Sequence, residues 1–188
     1  NKFRENEKSF LEELRMQKNA PQTALVLYLM LGYEAGEEYL KKGISEKIWL
    51  QSCRDIVIWA EDYYQKNGIW GLTELEWLGK TIRLELFRLG RLQFEPMLPE
   101  MRKKAEEKIR KYSSYEITSE TEMIDVHIPA GEPLDTDKAI DSFRQAKQFF
   151  GARDMIFHCH SWLLSPALTK ILPSSSRILQ FQALFDVI

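Results

Sequence analysis

The chain has 188 residues, 44% of them hydrophobic and 29% charged, and 26 Lys+Arg against 28 Asp+Glu leave a formal charge of -2. A chain of this length hides roughly 70% of its unfolded surface, enough for a core without a disulfide or metal staple. Opposite charges are interspersed, so the basic stripe that neutralises phosphate backbones is missing and nucleic acid is excluded as the expected partner. The longest apolar stretch, residues 24–31, is far short of the roughly 20 residues a membrane helix requires, so no membrane association is expected.

Phe3, Phe10, Leu11 and Leu14 recur at helical intervals before Pro21, which predicts a first helix ending near Lys18. A second runs from Gln22 to about Lys42 and stops at Gly43. Ser45 can cap a third, whose stripe of Ile48, Trp49, Ile56, Trp59, Ala60 and Tyr63 leads to Asn67-Gly68, giving a helix over 45–67. Thr73-Glu74-Leu75-Glu76 has the pattern of a capping box and predicts a fourth helix carrying Leu75, Leu78, Ile82, Leu86 and Leu89, with Gly90 as its left-handed cap. Residues 81–86 also alternate as a strand would. Arg91 to Glu95 alternates up to Pro96 and reads as a strand.

Residues 99–111 are helix-forming but polar, as a solvated helix or connector at a domain boundary would be. Tyr115–Ile117 and Met123–Ile128 look extended, the latter with Ile124, Val126 and Ile128 on one face and Asp125 and His127 on the other. After a turn at 129–133, Asp135 or Thr136 can cap a helix closed by Gly151. Met155–Ser161 is a second strand, Ser165-Pro166 opens a short helix to Leu172, and residues 177–188 read as a further strand. The fold class is therefore α+β: a helical N-terminal region (1–90) followed by a mixed α/β sheet domain (91–188). Strand, helix and strand over 123–160 make a right-handed crossover with parallel neighbours, and ligands bind such sheets beside strand C-termini, here Pro129–Glu132 and His160–Trp162.

His127, His158 and His160 are the most suggestive chemical group, since the last two share a strand face and the first lies on a neighbouring strand. Three imidazoles can hold zinc with an open water position, the basis of a metal-dependent hydrolase. The bland alternative, rings packed at a sheet surface, is favoured because no carboxylate spacing supplies the partners that metal histidines use, and no metal is expected. Cys159 points away from both His158 and His160 and reads as a small core residue. Cys53 and Cys159 form neither a disulfide framework nor a Cys-x-x-Cys site, which points to a reducing, cytoplasmic compartment. Asn1–Lys8 lacks the apolar core of a signal peptide. The first residue is not Met and the last three, Asp186-Val187-Ile188, close an apolar run, so truncation at one or both ends is expected.

Two stretches carry a family resemblance: Trp70–Leu75 running into Phe87–Glu95, and Asp125–Gly131 followed by Cys159–Pro166. Over most of residues 25–188 the chain resembles bacterial acyltransferase domain-containing proteins, which pair a helical N-terminal domain with a GNAT-like C-terminal domain. The resemblance implies acyl transfer from acetyl-CoA or another acyl-CoA to an amine on a small-molecule acceptor. It implies that the backbone of Val126 and Ile128 pairs with the pantetheine arm, and that Ala130, Gly131 and Thr136 face the pyrophosphate through free N–H groups and the helix dipole. His127 or His160 would take the proton, with Ser161 donating to the ligand and a backbone N–H polarising the carbonyl. The usual Gln/Arg-x-x-Gly-x-Gly/Ala loop is replaced by Pro-Ala-Gly-Glu-Pro-Leu-Asp, whose acids oppose a pyrophosphate. That departure keeps a second reading open, a non-catalytic binding module on a GNAT-like sheet. A homodimer through the aromatic-rich helical surface also stays open.

Overall fold

The structure, a computed structural model, describes residue 3, residues 6–151 and residues 154–188. Part of Asn1–Lys8, where no apolar signal core is expected, lies outside the described residues. The chain divides into two compact units, residues 1–87 and 88–188. Among the described residues no helix is long and apolar enough to cross a membrane.

The first unit is helical: α1 (Glu7–Arg15), α2 (Ala20–Lys41), α3 (Glu46–Asn67) and α4 (Leu75–Ile82). Asn6 accepts a hydrogen bond from the Ser9 N–H and opens α1, which stops at Met16, short of Lys18. Pro21 lies inside the first turn of α2, where a missing N–H costs nothing, so α2 starts before the proline. Ser45 caps α3 as expected, and Gly68, at φ 72°, ends it. Tyr28 and Tyr39 on α2 are fully buried and donate their hydroxyls to the carbonyls of Leu75 (2.8 Å) and Thr81 (3.0 Å), tying α2 to α4. Burial raises both phenols well above their ordinary range.

The expected fourth helix is half as long as its apolar spacing suggests. No side chain caps α4, and the Thr73 box does not form, because the cap position falls on Glu74, one residue later than the box requires. Leu84 adopts φ 62°, a turn no helix can contain, and the chain continues as β1 (Phe87–Leu89), every residue of it buried. Period two thus prevails over period 3.6 in a segment compatible with both. Gly90, at φ 74°, sits in the turn into β2 (Leu92–Pro96) and not at a helix end.

In the second unit β2 is followed by α5 (Pro99–Tyr112), β3 (Glu122–His127), α6 (Thr136–Phe150), β4 (Met155–His158), two short 3-10 turns at Trp162–Leu164 and Pro166–Lys170, and α7 (Arg177–Gln182). The sheet order is β1-β2-β3-β4. β2 and β3 are antiparallel, and β3 and β4 are the parallel pair expected from the crossover. Asp135 accepts from the Lys138 N–H to cap α6, and Gly151 closes it. The polar helix α5 is neither free nor a boundary: Ala105 and Ile109 pack with Met97 and Met123 against the sheet. Tyr115–Ile117 is not a strand. Of the strand expected over 177–188, residues 177–182 form a helix instead, because Ser176 accepts from the Ile178 N–H and the apolar positions also satisfy helical spacing; the turn that follows brings the Phe181 and Phe185 rings to 5.1 Å.

Close packing in the first unit makes one glycine indispensable. A Cβ on Gly36 would lie 2.6 Å from the Trp49 ring, whose indole nitrogen donates to the Gly32 carbonyl at 2.8 Å. Gly36→Val is expected to lower stability by about 1–3 kcal/mol, read as a fall in the urea midpoint with an unchanged m value.

Candidate active site

Side chains alternate across a strand, so the pairing registers fix what shares a face. Phe94 pairs with Val126 and Phe157 with Ile124, and these residues face α6, where the Phe143 ring lies 5.9 Å from Phe94 and 4.9 Å from Phe157. On the opposite face Met123 pairs with Ile156 beneath α5, giving way along the strands to Glu95, Asp125 and His158 in one row and Gln93 and His127 in the next. One end of this face is an apolar seat for a helix and the other is a polar row beside the C-terminal end of β3.

Two histidine–carboxylate pairs occupy that row. His127 Nε2 donates to Glu95 Oε1 at 3.0 Å, and His158 Nδ1 donates to Asp125 Oδ1 at 2.5 Å. All four side chains are largely withdrawn from solvent, which strengthens charge-assisted bonds of this kind. Spacing in the sequence does not show these carboxylate partners, because each comes from a neighbouring strand. Among the described residues no group of three or more His, Cys, Asp or Glu side chains is placed to hold a metal ion.

The β3–β4 ladder ends at Asp125 and His158, while β3 runs on to His127. β4 is the edge strand, and a cleft of about 830 Å³ lies along it. His158, His160 and Ser161 contribute to its wall together with Phe143, Arg144 and Lys147 of α6. Of the residues singled out in the sequence, His160 and Ser161 therefore share the cleft, and His127 is not among its walls. Ser161 accepts from the Leu163 N–H at 3.2 Å. Val126 is buried and Ile128 half-buried, while Ala130 and Gly131 lie exposed in the loop and Thr136 begins α6. None of these five lines the cleft. Burial, then the charge of Asp125, pushes the Cys159 thiol up to about 12; burial pushes Cys53 up to about 11.

The loop after β3 is held from below. The buried Arg91 guanidinium donates to the carbonyls of Pro129 (2.9 Å), Glu132 (2.7 Å) and Pro133 (3.0 Å). Burial and the nearby Arg88 charge lower its pKa, and Glu132 opposes them. Arg88 is also buried and reaches the Glu132 carboxylate at 3.1 Å, so part of the loop's negative charge is compensated. The sequence reading missed Arg88, Arg91, Glu95 and Asp125 as site residues. The predicted polar face of β3 pointed to Asp125, but the other three become visible only with the strand register and the hairpin turn.

Arg91→Met should lower stability by at least about 2 kcal/mol in chemical denaturation, because three carbonyls lose their donor. Alkylation of Cys159 by iodoacetamide at pH 8 should be at least about tenfold slower in the folded chain than in urea, since so high a pKa leaves little thiolate.

The N-acyltransferase N-terminal domain matches residues 1–84 and the GNAT-like C-terminal domain matches residues 86–188. No curated protein sequence is significantly similar. Among solved structures, an acyltransferase in complex with decanoyl-CoA and teicoplanin is 21% identical, with a TM-score of 0.72 over 90% of this chain and 49% of that one. A second, in complex with decanoyl-CoA, is 24% identical, with a TM-score of 0.69 over 89% and 49%. An acyltransferase mutant in complex with octanoyl-CoA is 20% identical, with a TM-score of 0.72 over 90% and 49%. The chain spans about half the length of these structures, and the likeness shows a shared GNAT-like fold. With one match on each side of a boundary next to β1, the chain belongs to the family that joins an N-acyltransferase N-terminal domain to a GNAT-like C-terminal domain.

Proposed function

We propose that this protein transfers an acyl group from acyl-CoA to the amine of a small-molecule acceptor. The observation that carries the reading is the parallel pair β3 and β4, whose ladder stops at Asp125 and His158 while β3 continues. Beyond that point β3 has no β4 partner, and we assign the Val126 carbonyl and the Ile128 backbone to the pantetheine amides. Ala130, Gly131 and Thr136 stand at the loop and first turn of α6, where N–H groups and the helix dipole favour a pyrophosphate. Pairing of Glu132 with Arg88 reduces the repulsion that the acidic loop would otherwise exert, and with it the motive for a non-catalytic reading.

His160 and Ser161 lie on the cleft and would meet the acceptor, whereas His127 stands off the cleft on the polar sheet face, bonded to Glu95. Apolar cleft residues such as Phe143, Phe157 and Leu164 suit an acyl chain longer than acetyl. The similar acyltransferases in complex with octanoyl- and decanoyl-CoA support the same choice. Two free cysteines support a reducing, cytoplasmic setting.

Thermal unfolding with millimolar coenzyme A, acetyl-CoA and octanoyl-CoA tests the reading. A ligand at 100 times its dissociation constant adds about 2.7 kcal/mol, so a clear rise in midpoint is expected, largest for octanoyl-CoA. No rise with any of the three would remove acyl-CoA as the donor.

A further inference from the structure

His158 was not among the catalytic candidates in the sequence, yet of the three histidines it alone combines a carboxylate partner with a place on the cleft. His127 spends Nε2 on Glu95 and is not a cleft residue. His160 reaches the cleft but is exposed and has no hydrogen-bonded carboxylate among the described residues. His158 is half-buried, with Nδ1 held by Asp125, and Nε2 has no partner among the described residues. Its Cα is also level with the last paired position of β3, so the ring stands where the two strands cease to be joined.

We infer that His158 is a catalytic base of acyl transfer and that Asp125 is its positioning residue, an assignment that rests on the acyl-transfer reading above. The neutral amine of the acceptor attacks the thioester carbonyl carbon, forming a C–N bond. As the C–S bond breaks, one N–H proton passes to His158 Nε2, and the imidazolium returns it to the departing thiolate. The products are an amide and free coenzyme A thiol, with no other reactant. Asp125 accepts the Nδ1 hydrogen, which fixes the tautomer with a bare Nε2 and stabilises the imidazolium once it forms.

The test uses the full-length protein and octanoyl-CoA, with thiol release in the presence of an amine panel as the readout and calorimetry for donor binding. His158→Gln should bind octanoyl-CoA within about twofold of the parent and lose about a hundredfold or more in kcat, the range general-base removal produces. Asp125→Asn should lower kcat with KM nearly unchanged. Imidazole added to His158→Ala should restore part of the lost turnover, which a merely structural ring would not allow. The assignment is overturned if His158→Gln turns over within about threefold of the parent, or if imidazole restores nothing to a His158→Ala protein that still binds the donor. A parent that binds octanoyl-CoA and turns over beside an equally active His158→Gln removes only the role of His158. A parent that neither binds nor turns over removes the acyl-transfer reading and the assignment together.

Discussion

Everything of interest in the second unit depends on β3 being paired along both edges. A strand hydrogen-bonded on its two sides has no freedom to rotate or slip, so alternate side chains are committed to opposite faces. One set, Ile124 and Val126, joins the aromatic packing under α6, and the other carries Met123 under α5 and then Asp125 and His127. A slip of one residue would push a carboxylate and an imidazole into a Phe-rich interior, at a desolvation cost of several kcal/mol. The core and the polar row are thus two consequences of one register, and neither can be altered without the other.

Rigidity of that kind matters because the pairs His127–Glu95 and His158–Asp125 are assembled across strands. Each imidazole is aimed by a carboxylate fixed on different backbone, so orientation is set by the sheet and not by a flexible loop. Arg91 extends the same support into the turn after β3, replacing water as the donor to three carbonyls that face inward. The loop therefore owes its shape to a residue in the β1–β2 turn, not to its own glycine or prolines alone.

Much of the fold could be read from the chain because its signals were local. The Ser45 and Asp135 caps, the stops at Gly68 and Gly151 and the alternation in β3 each depend on residues within a few positions. The readings that failed had two compatible periods and needed a distant partner to decide between them. Residues 84–89 became turn and strand because β2 pairs with them, and residues 177–182 became helix because Ser176 caps them and Phe181 is buried. The site follows the same division. Asp125 and His127 were visible as one polar face, whereas Glu95 and the Asp125–His158 bond require a register that no spacing within one strand encodes.

The packing of Trp49 against Gly36 has a spectroscopic consequence. Trp49, Trp59, Trp70 and Trp77 all lie in the helical unit, and the remaining indole, Trp162, is 72% exposed in the second. Intrinsic fluorescence therefore follows the environment of the helices, while the sheet bearing the histidines is nearly silent in that signal. Loss of the phenylalanine packing between β2, β4 and α6 could occur with little change in emission, and far-UV dichroism or amide exchange at β3 would be needed to see it.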